Sequence, residues 1–485
     1  MENVLSRCVV LGSILLVIGC GGSSTDVNTD NPIQIESQPG DQFIGLGGTA
    51  VFSVEASQAE DEELSYQWSR DDEEISGATE RNYSFSNITL DDDGATFSVR
   101  VQNASGNVAQ SQEATLTVST GTFSYGIDLG EARWNHTATI LDDGNVLVAG
   151  GRTPNLAIGF GATEPMNRAE IWDQSTNAFV AVGSLMVHAR SGHRATKLSD
   201  GDVILCGDWV PSLAAANSSC EVFDAGSSTF AATAETMLSP RAGHTQSLLD
   251  DGNLLVVGGR AESSALASPS AEIYRPTTSS FHPTVGSMNT ARTEHTIERL
   301  ADGRFIVIGG RSLDTAPLDT LEIYDPATDS FALAPFNLAA SRYAHESVTL
   351  SDGNILIVGG WTTSTEVAER EYAMSLEVID PNTWETVAML SLSSPFINHQ
   401  VLLTANGDVL ISGVPLPEGS DASALVYDHV SRQIAPTAEQ MRHSRTYHTA
   451  IPRDDGSIFL IGGLSSLVFN MIASSLQSTE IYSDQ

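Results

Sequence analysis

The chain has 485 residues, with 61 acidic against 23 basic side chains and a formal net charge of −38. This balance excludes a protein that binds nucleic acid or anionic lipid through basic patches, because both partners require clustered positive charge. The acidic residues are spread over predicted loops and turns, which indicates a solvated surface suited to a saline habitat. Weak Ca²⁺ binding by loops such as 91–93 is the open alternative.

The first residues have the pattern of an export signal. Arg7 precedes an apolar run over 9–18, which is too short to span a membrane as a mature helix and has the length of a signal peptide. We therefore assign 1–19 to a signal peptide. The following Val17-Ile-Gly-Cys20 resembles the bacterial lipobox, which implies cleavage before Cys20 and acylation of that residue. An ordinary secretory signal is the alternative.

Residues 20–31 are rich in Gly, Ser, Thr, Asp and Asn, which predicts a flexible and hydrated tether. An aspartate directly after the acylated cysteine would resemble an inner-membrane retention signal, and the chain has Gly21 there. We therefore expect an outer-membrane lipoprotein of the cell envelope. The sequence leaves open whether it faces the periplasm or the cell surface.

Residues 32–119 resemble a single bacterial Ig-like domain, a β-sandwich of short strands. Tyr66-Gln-Trp68 resembles strand C with its buried Trp, while Val54 and Val99 stand where an antibody domain has its two bridging cysteines. This domain is therefore expected to be held together by packing alone. A spacer role is the main interpretation, and an adhesion surface is the alternative.

From residue 121 to residue 485 the chain repeats two motifs seven times. The first is Arg-x-x-His, an apolar stretch, an Asp-Gly turn and a β-rich run into Gly-Gly; the second resembles Ala169-Glu-Ile-Trp-Asp173. Asp-Gly between apolar runs predicts a hairpin, because Gly accepts a positive φ at no steric cost. Each repeat therefore predicts four antiparallel strands, a to d. The repeated histidines are His136, His193, His244, His295, His345, His399 and His448.

A period of about 50 residues is typical of propeller blades. The two motifs resemble kelch repeats and the central propeller domain of galactose oxidase-like proteins. The fold class expected for the whole chain is therefore all-β, with an N-terminal Ig-like β-sandwich followed by a seven-bladed kelch-type β-propeller. The last repeat stops after strand c, and residues 122–128 resemble a strand d, so this segment is expected to complete the seventh blade.

Two cysteines lie inside the second repeat. Cys206 ends strand b and Cys220 begins strand c, and these strands are predicted to be adjacent and antiparallel. Export makes the environment permissive for disulfides. A structural disulfide between Cys206 and Cys220 is the first interpretation, with two free buried thiols as the alternative.

Residues that recur in every blade are interpreted as scaffold, because a propeller needs a catalytic group only once. By this argument the seven histidines are structural and bind no metal. Arg of the first motif and Glu of the second each occur in six repeats, and both are missing from the sixth, which has Phe396 and Leu425. We therefore predict a buried Arg–Glu pair across each of the other blades. The pairs are Arg133–Glu170, Arg190–Glu221, Arg241–Glu272, Arg292–Glu322, Arg342–Glu377 and Arg445–Glu480.

Function is then expected at positions that differ between blades, on the face that carries the d–a loops and the long b–c loops. Aromatic rings there can stack on sugars, and polar side chains can bond hydroxyl groups. The candidate ligand-binding residues are Trp134, Asn135, Glu294, Tyr343, Trp361 and Tyr447. The sequence predicts a monomeric module that binds a glycan or a protein through this face and binds no nucleic acid. Its only membrane contact would be the lipid anchor.

The alternative is a sugar-active enzyme of the mutarotase or epimerase type, like the kelch-type sialic acid mutarotase, with Glu294 and Asn135 or Tyr447 as acid–base groups. Arg445-Thr-Tyr447-His448 also resembles the copper-binding motif of galactose oxidase. The chain has no Cys in a d–a loop for the thioether of that family and no C-terminal domain with its further histidine. We therefore expect no cofactor and no copper-radical chemistry.

Overall fold

A computed structural model describes most of the chain, and the regular elements of its described residues are β-strands, apart from one short 3₁₀ turn at Leu90–Asp92. The described ranges are 32–58, 63–154, 163–210, 215–261, 266–312, 317–362, 371–392, 394–415, 424–465 and 474–484. The predicted signal peptide, Cys20 and the tether lie outside them. Within these ranges, no helix is long and apolar enough to cross a membrane.

The chain divides into two compact units. Among the described residues, the first comprises those within 32–40, 52–83 and 96–114, and the second those within 41–51, 84–95 and 115–484. In the first unit Leu64–Arg70 pairs antiparallel with Thr96–Asn103. Trp68 is fully buried and its indole N–H donates to the carbonyl of Glu80 at 3.0 Å. The other strands of this unit are Gln34–Ser37, Glu55–Ser57, Glu73–Glu74 and Val108–Gln110. Thr49–Ser53 and Asn82–Ser86 pair with each other.

The second unit contains seven four-stranded antiparallel sheets, one for each repeat. The first strands of successive sheets contact one another, and that of the seventh contacts that of the first, so the sheets form a closed ring, the arrangement of a seven-bladed β-propeller. The strands a to d are, for blade 1, Thr137–Ile140, Val146–Ala149, Ala169–Asp173 and Ala178–Ala181; for blade 2, Arg194–Lys197, Val203–Cys206, Cys220–Asp224 and Thr229–Ala232; for blade 3, Thr245–Leu248, Leu254–Val257, Ala271–Arg275 and Ser280–Pro283; for blade 4, Thr296–Arg299, Phe305–Ile308, Leu318–Asp325 and Ser330–Arg342; for blade 5, Glu346–Thr349, Ile355–Val358, Ser375–Asp380 and Glu385–Ser391; for blade 6, Phe396–Leu403, Val409–Pro415, Ala424–Asp428 and Gln433–Pro436; and for blade 7, Thr449–Pro452, Ile458–Ile461, Thr479–Ser483 and Thr122–Tyr125.

Strand b forms the centre of each blade. In six blades all four residues of this strand are buried, as in Leu254–Val257, and they pack between neighbouring sheets. Such strands are covered on both faces, which explains their continuous apolar sequences. Short strands of two or three residues extend the blades on the face that carries the d–a and b–c loops. They are Arg152–Pro154, Thr163–Pro165, Trp209–Val210, Ala215–Ala216, Arg445–Thr446, Leu464–Ser465 and Ser474–Ser475.

The ring closes through a strand from the beginning of the repeat region. Thr122–Tyr125 pairs antiparallel with Thr479–Ser483, in the register Phe123 to Tyr482. The rings of Phe123 and Tyr482 lie 5.3 Å apart in the core between blades 6 and 7. The predicted completion of blade 7 from residues 122–128 is therefore confirmed over the four residues of this strand.

An additional strand packs beside this closure. Gln42–Gly45 pairs in parallel with Ala114–Ser119, and Phe43 lies 5% exposed in the same core as Phe123 and Tyr482. The backbone N–H of Phe43 donates to Oε1 of Gln433 at 2.8 Å. This contribution of residues 41–51 to the propeller unit was not predicted from the sequence motifs.

The Arg–Glu pairs form as predicted in five blades. Arg292, for example, lies 2.8 Å from Glu322, and both side chains are fully buried. Arg292 Nη1 also donates to the carbonyls of Gly309 and Thr320, while Glu322 accepts from the backbone N–H groups of the d–a loop. The other direct pairs are Arg133–Glu170, Arg190–Glu221, Arg241–Glu272 and Arg445–Glu480.

Blade 5 departs from the predicted pairing. Glu377 accepts from the hydroxyl of Thr386 at 3.0 Å and from the backbone N–H of Ala339, and no direct ion pair joins it to Arg342 in the described structure. A register shift between Val378 and Ile379 accompanies the Thr386 contact. Burial lowers the pKa of Arg342, and the charge of Glu377 opposes that effect. The prediction of a direct pair is therefore wrong for this blade.

Cys206 and Cys220 are joined by a disulfide, with their Cα atoms 4.3 Å apart. The two residues are directly opposite each other on strands b and c of blade 2. Both are buried in the core between blades 2 and 3. The bond links positions that backbone pairing already holds together.

Candidate functional site

The residue before each repeated histidine adopts a left-handed backbone conformation. These residues are Asn135, Gly192, Gly243, Glu294, Ala344, Asn398 and Tyr447, with φ between 47° and 65°. This backbone conformation is uncommon for residues other than Gly. It lets the backbone N–H of one blade reach the carbonyl of the preceding blade, as from Ala344 to Glu294 at 2.9 Å and from Tyr447 to Asn398 at 3.0 Å. The strain therefore belongs to the architecture, and it places these seven residues, five of which have a side chain, at the mouth of the central channel.

The repeated histidines connect neighbouring blades. His193 Nε2 of blade 2 contacts the hydroxyl of Thr137 in blade 1 at 2.9 Å, and equivalent contacts are Thr245–His295, Thr296–His345 and Thr449–His136. Burial lowers the pKa of His193 to about 3 and that of His399 to about 4, so these rings are neutral at physiological pH. Gly150 leaves room for the ring, because a Cβ there would lie 2.8 Å from His193 Cε1. These contacts support the structural role inferred from repetition.

Two of these histidines lack a hydroxyl partner within the described ranges. His244 and His399 follow blades in which the hydroxyl position is occupied by Arg194 and Glu346, respectively. His448 follows a blade with Gln400 at that position, and it bonds Ser412 instead at 2.9 Å. Arg194 and Glu346 line the central cavity. At these two positions an arginine and a glutamate of the channel replace the hydroxyl that bonds the histidine of the next blade elsewhere.

The central cavity has a volume of about 680 Å³ and includes five of the six candidate ligand-binding residues. Asn135, Glu294, Tyr343, Trp361 and Tyr447 line it. Trp134 does not line it; its ring lies 5.3 Å from that of Tyr447, and the Arg152 guanidinium lies 5.7 Å from the Trp134 ring. Backbone pairing with Arg152 holds Trp134 beside the cavity.

Glu294 is the acidic centre of the channel mouth. Its Oε1 lies 2.8 Å from Arg311 and 3.5 Å from Arg260, and Arg311 also lies over the ring of Tyr343 at 4.7 Å. Tyr343 is 4% exposed. Neither arginine was among the residues predicted from the sequence. They follow Gly-Gly, at a position that is Arg in three repeats and Trp209, Trp361 or Leu464 in others, and this variation was the available signal.

Three further charged or titratable side chains, Arg194, Glu298 and Glu346, also line the cavity and were not predicted. Glu298 accepts from the hydroxyls of Ser347 at 2.7 Å and Thr349 at 2.9 Å. Burial raises the pKa of Glu298, and burial together with the nearby Glu298 charge raises the pKa of Glu346 to about 7, against the opposing charge of Arg194. The cavity thus holds a carboxyl that exchanges protons near neutral pH.

Tyr447 and His448, which resemble part of a copper motif, do not form a metal centre with the residues around them. His448 is 2% exposed, and its Nε2 is used in the contact with Ser412. In the part of the chain that the structure describes, the group of three residues able to hold a metal ion is Asp408, Asp428 and His429, in blade 6 and not among the cavity residues. The donor set at Tyr447 therefore does not fit copper.

Comparison with known proteins supports the architecture. The chain is similar in structure to a fungal alcohol oxidase of the AA5 family, solved in complex with copper, with a TM-score of 0.56 and 16% sequence identity. The match covers 75% of this chain and 76% of that protein. No family model matches the sequence. No curated protein matches it either. The similarity shows a galactose oxidase-like, β-rich fold and says nothing further about activity.

Proposed function

We propose that this chain is an envelope-anchored lipoprotein whose propeller binds a glycan through its channel mouth. The observation that carries the proposal is the convergence of Tyr343, Trp361 and Tyr447 with Glu294 and Asn135 on one cavity. Ligand sites combine apolar or aromatic walls with a few polar groups that fix orientation. A concave cavity of about 680 Å³ favours a saccharide over a flat protein surface.

The anchor and location are parts of the same proposal. Their support is the sequence alone: a short apolar leader, the Val17-Ile-Gly-Cys20 motif and a polar tether. A lipid on Cys20 would hold the propeller at the outer membrane. Metabolic labelling with a radioactive fatty acid should label the wild-type chain and leave Cys20→Ala unlabelled.

A glycan array with the chain lacking residues 1–20 tests the binding function. We expect the double variant Glu294→Ala, Tyr447→Ala to bind none of the glycans that the parent protein binds. The matched control is Tyr125→Ala, Glu385→Ala, which removes the same two residue types at exposed positions outside the cavity. Equal loss in both variants, or retained binding in the first, would remove the channel mouth as the site.

One observation favours the sugar-active enzyme as a second candidate. Acid–base catalysis works best with a group whose pKa lies near the working pH, and burial raises the pKa of Glu346 to about 7. Glu294, the acid–base residue expected from the sequence, is instead paired with Arg311. Exchange between sugar anomers, followed by NMR, should accelerate with the parent protein and stop with Glu346→Gln if this candidate is right.

A further inference from the structure

Three polar side chains in the channel occupy positions where other blades have small or neutral residues. The first residue after each histidine is Thr137, Arg194, Thr245, Thr296, Glu346, Gln400 or Thr449, and the second is Ala138, Ala195, Gln246, Ile297, Ser347, Val401 or Ala450. Strand a has the same role in every blade, so the fold does not require Arg194, Gln246 or Glu346. Their presence needs another explanation.

These three side chains have few hydrogen-bond partners in the described structure. Arg194 Nε donates to the carbonyl of His244 at 3.1 Å, and the rest of its guanidinium makes no hydrogen bond to a described residue. Both the oxygen and the nitrogen of the Gln246 amide are buried without a partner. Since unpaired buried polar groups are costly, the Gln246 amide is expected to be satisfied by something else, while the guanidinium of Arg194 is exposed to the cavity.

The geometry indicates what kind of molecule would satisfy them. Arg194, Gln246 and Glu346 come from blades 2, 3 and 5, and all three line the same cavity. The charge of Arg194 acts on Glu346, yet the two side chains form no ion pair within 4.0 Å. A ligand between them can therefore contact both without displacing an existing salt bridge.

We propose that the cavity binds a small acidic saccharide, whose carboxylate contacts Arg194 and whose hydroxyl groups contact Gln246 and Glu346. This inference rests on the proposed glycan-binding function and specifies its ligand class. A guanidinium matches a carboxylate with two parallel hydrogen bonds, and hydroxyl groups can both donate to and accept from an amide or a carboxyl. Arg311, which lines the cavity, and Arg260 beside it both contact Glu294, so these three side chains together carry a net positive charge near the proposed site.

Binding of an anion here should be linked to proton uptake. The groups that face Glu346 are Glu298 from blade 4, His399 and Gln400 from blade 6, and Arg194 across the channel, while His345 precedes it in the chain. The pKa of Glu346 is about 7, and a negative ligand nearby would raise it further. Protonated Glu346 therefore favours the complex, and affinity should fall as the pH rises through 7.

Isothermal titration of the chain lacking residues 1–20 with D-glucuronate and D-galacturonate tests the inference. We expect binding of at least one acid and much weaker binding of its neutral amide. Arg194→Gln should weaken acid binding roughly 10- to 100-fold, the usual effect of losing a charge-assisted hydrogen-bonded pair. The matched control is Lys197→Gln, which removes the same charge from the same strand, where Lys197 pairs with Asp142 outside the cavity.

A second variant tests the proton linkage. Parent affinity for the acid should fall roughly tenfold between pH 6 and pH 8, and Glu346→Gln should bind with little dependence on pH. Binding of neither acid, equal binding of acid and amide, or equal losses in Arg194→Gln and Lys197→Gln would overturn the inference. If neutral glycans bind and respond to Glu294→Ala, Tyr447→Ala but not to Arg194→Gln, the glycan-binding function stands and only the acidic ligand class fails.

Discussion

The propeller uses arginine and glutamate in two contrasting ways. Across the blades, Arg292 and Glu322 are fully buried, in direct contact and surrounded by backbone hydrogen bonds, and the arrangement recurs. In the channel, Arg194 and Glu346 occupy a position of strand a that has Arg in one blade and Glu in one blade. Both line the cavity, and they form no ion pair with each other. The same residue types thus stabilise the fold in one place and remain available to a ligand in the other. In a repeat protein, two observations together distinguish a structural residue from a ligand-binding one: whether it recurs in every blade, and whether its side chain already has a hydrogen-bond or ion-pair partner.

Acidification should produce the largest effect on the repeated scaffold. Burial holds the pKa of the repeated histidines well below the unfolded value near 6.5, as for His193 at about 3. The unfolded chain then binds protons first, so stability should fall as pH drops below about 6.5, by about 1–2 kcal/mol per histidine at pH 5. Glu346 opposes this slightly, because its raised pKa contributes stability at low pH that is lost as pH rises through 7.

Urea unfolding at pH 7 and pH 5 measures this loss. His193→Gln should lose less stability between the two pH values than the parent, since glutamine does not titrate. His282→Gln, in strand d of blade 3, is the control and should behave like the parent. A parent protein equally stable at both pH values would contradict the neutral-histidine scaffold.

Breaking one buried Arg–Glu pair should have the next largest effect on stability. Arg292→Ala or Glu322→Ala leaves an unpaired buried charge and should cost about 3–5 kcal/mol in the free energy of unfolding. A double-mutant cycle should show strong coupling between Arg292 and Glu322, and weaker coupling between Arg342 and Glu377, which lack a direct contact. Additive effects at Arg292 and Glu322 would show that their proximity has little energetic consequence.

Loss of the disulfide should have a smaller effect than loss of a buried pair. The bond closes a loop with a sequence separation of 14, which predicts about 3 kcal/mol from chain entropy, reduced where the unfolded chain retains structure. Cys206→Ala, Cys220→Ala should therefore unfold at a lower urea concentration. Mass spectrometry of non-reduced tryptic fragments identifies the bond directly, and two alkylatable thiols would refute it.

Arg194→Gln should have the smallest effect on stability. Its guanidinium is exposed and forms no salt bridge with a described residue, so the free energy of unfolding should change by less than about 0.5 kcal/mol. Urea unfolding of Arg194→Gln beside Arg292→Gln compares the same substitution in the two settings. A cost for Arg194→Gln approaching that for Arg292→Gln would place Arg194 in the scaffold.

The repeat made the blades, the closing strand and most Arg–Glu pairs predictable, because each is a local consequence of a recurring motif. The channel mouth was partly predictable, since residues before the histidines must lie near the axis. Arg260 and Arg311 were missed because their position follows from backbone pairing beyond Gly-Gly, as between Thr293 and Arg311. Phe43 was missed because its contact with the propeller depends on residues nearly 400 positions away, as in its hydrogen bond to Gln433.

The closure of blade 7 has a consequence for how the chain folds. Thr479 donates to the carbonyl of Ile127 across 352 residues of sequence, so this contact cannot form until almost the whole repeat region is available. Blades 1 to 6 can pair locally before then, which makes ring closure the late step. Until it occurs, the edge of Thr479–Ser483 can accept Thr122–Tyr125 from a second copy. A strand-exchanged dimer is therefore the expected misassembly product at high protein concentration.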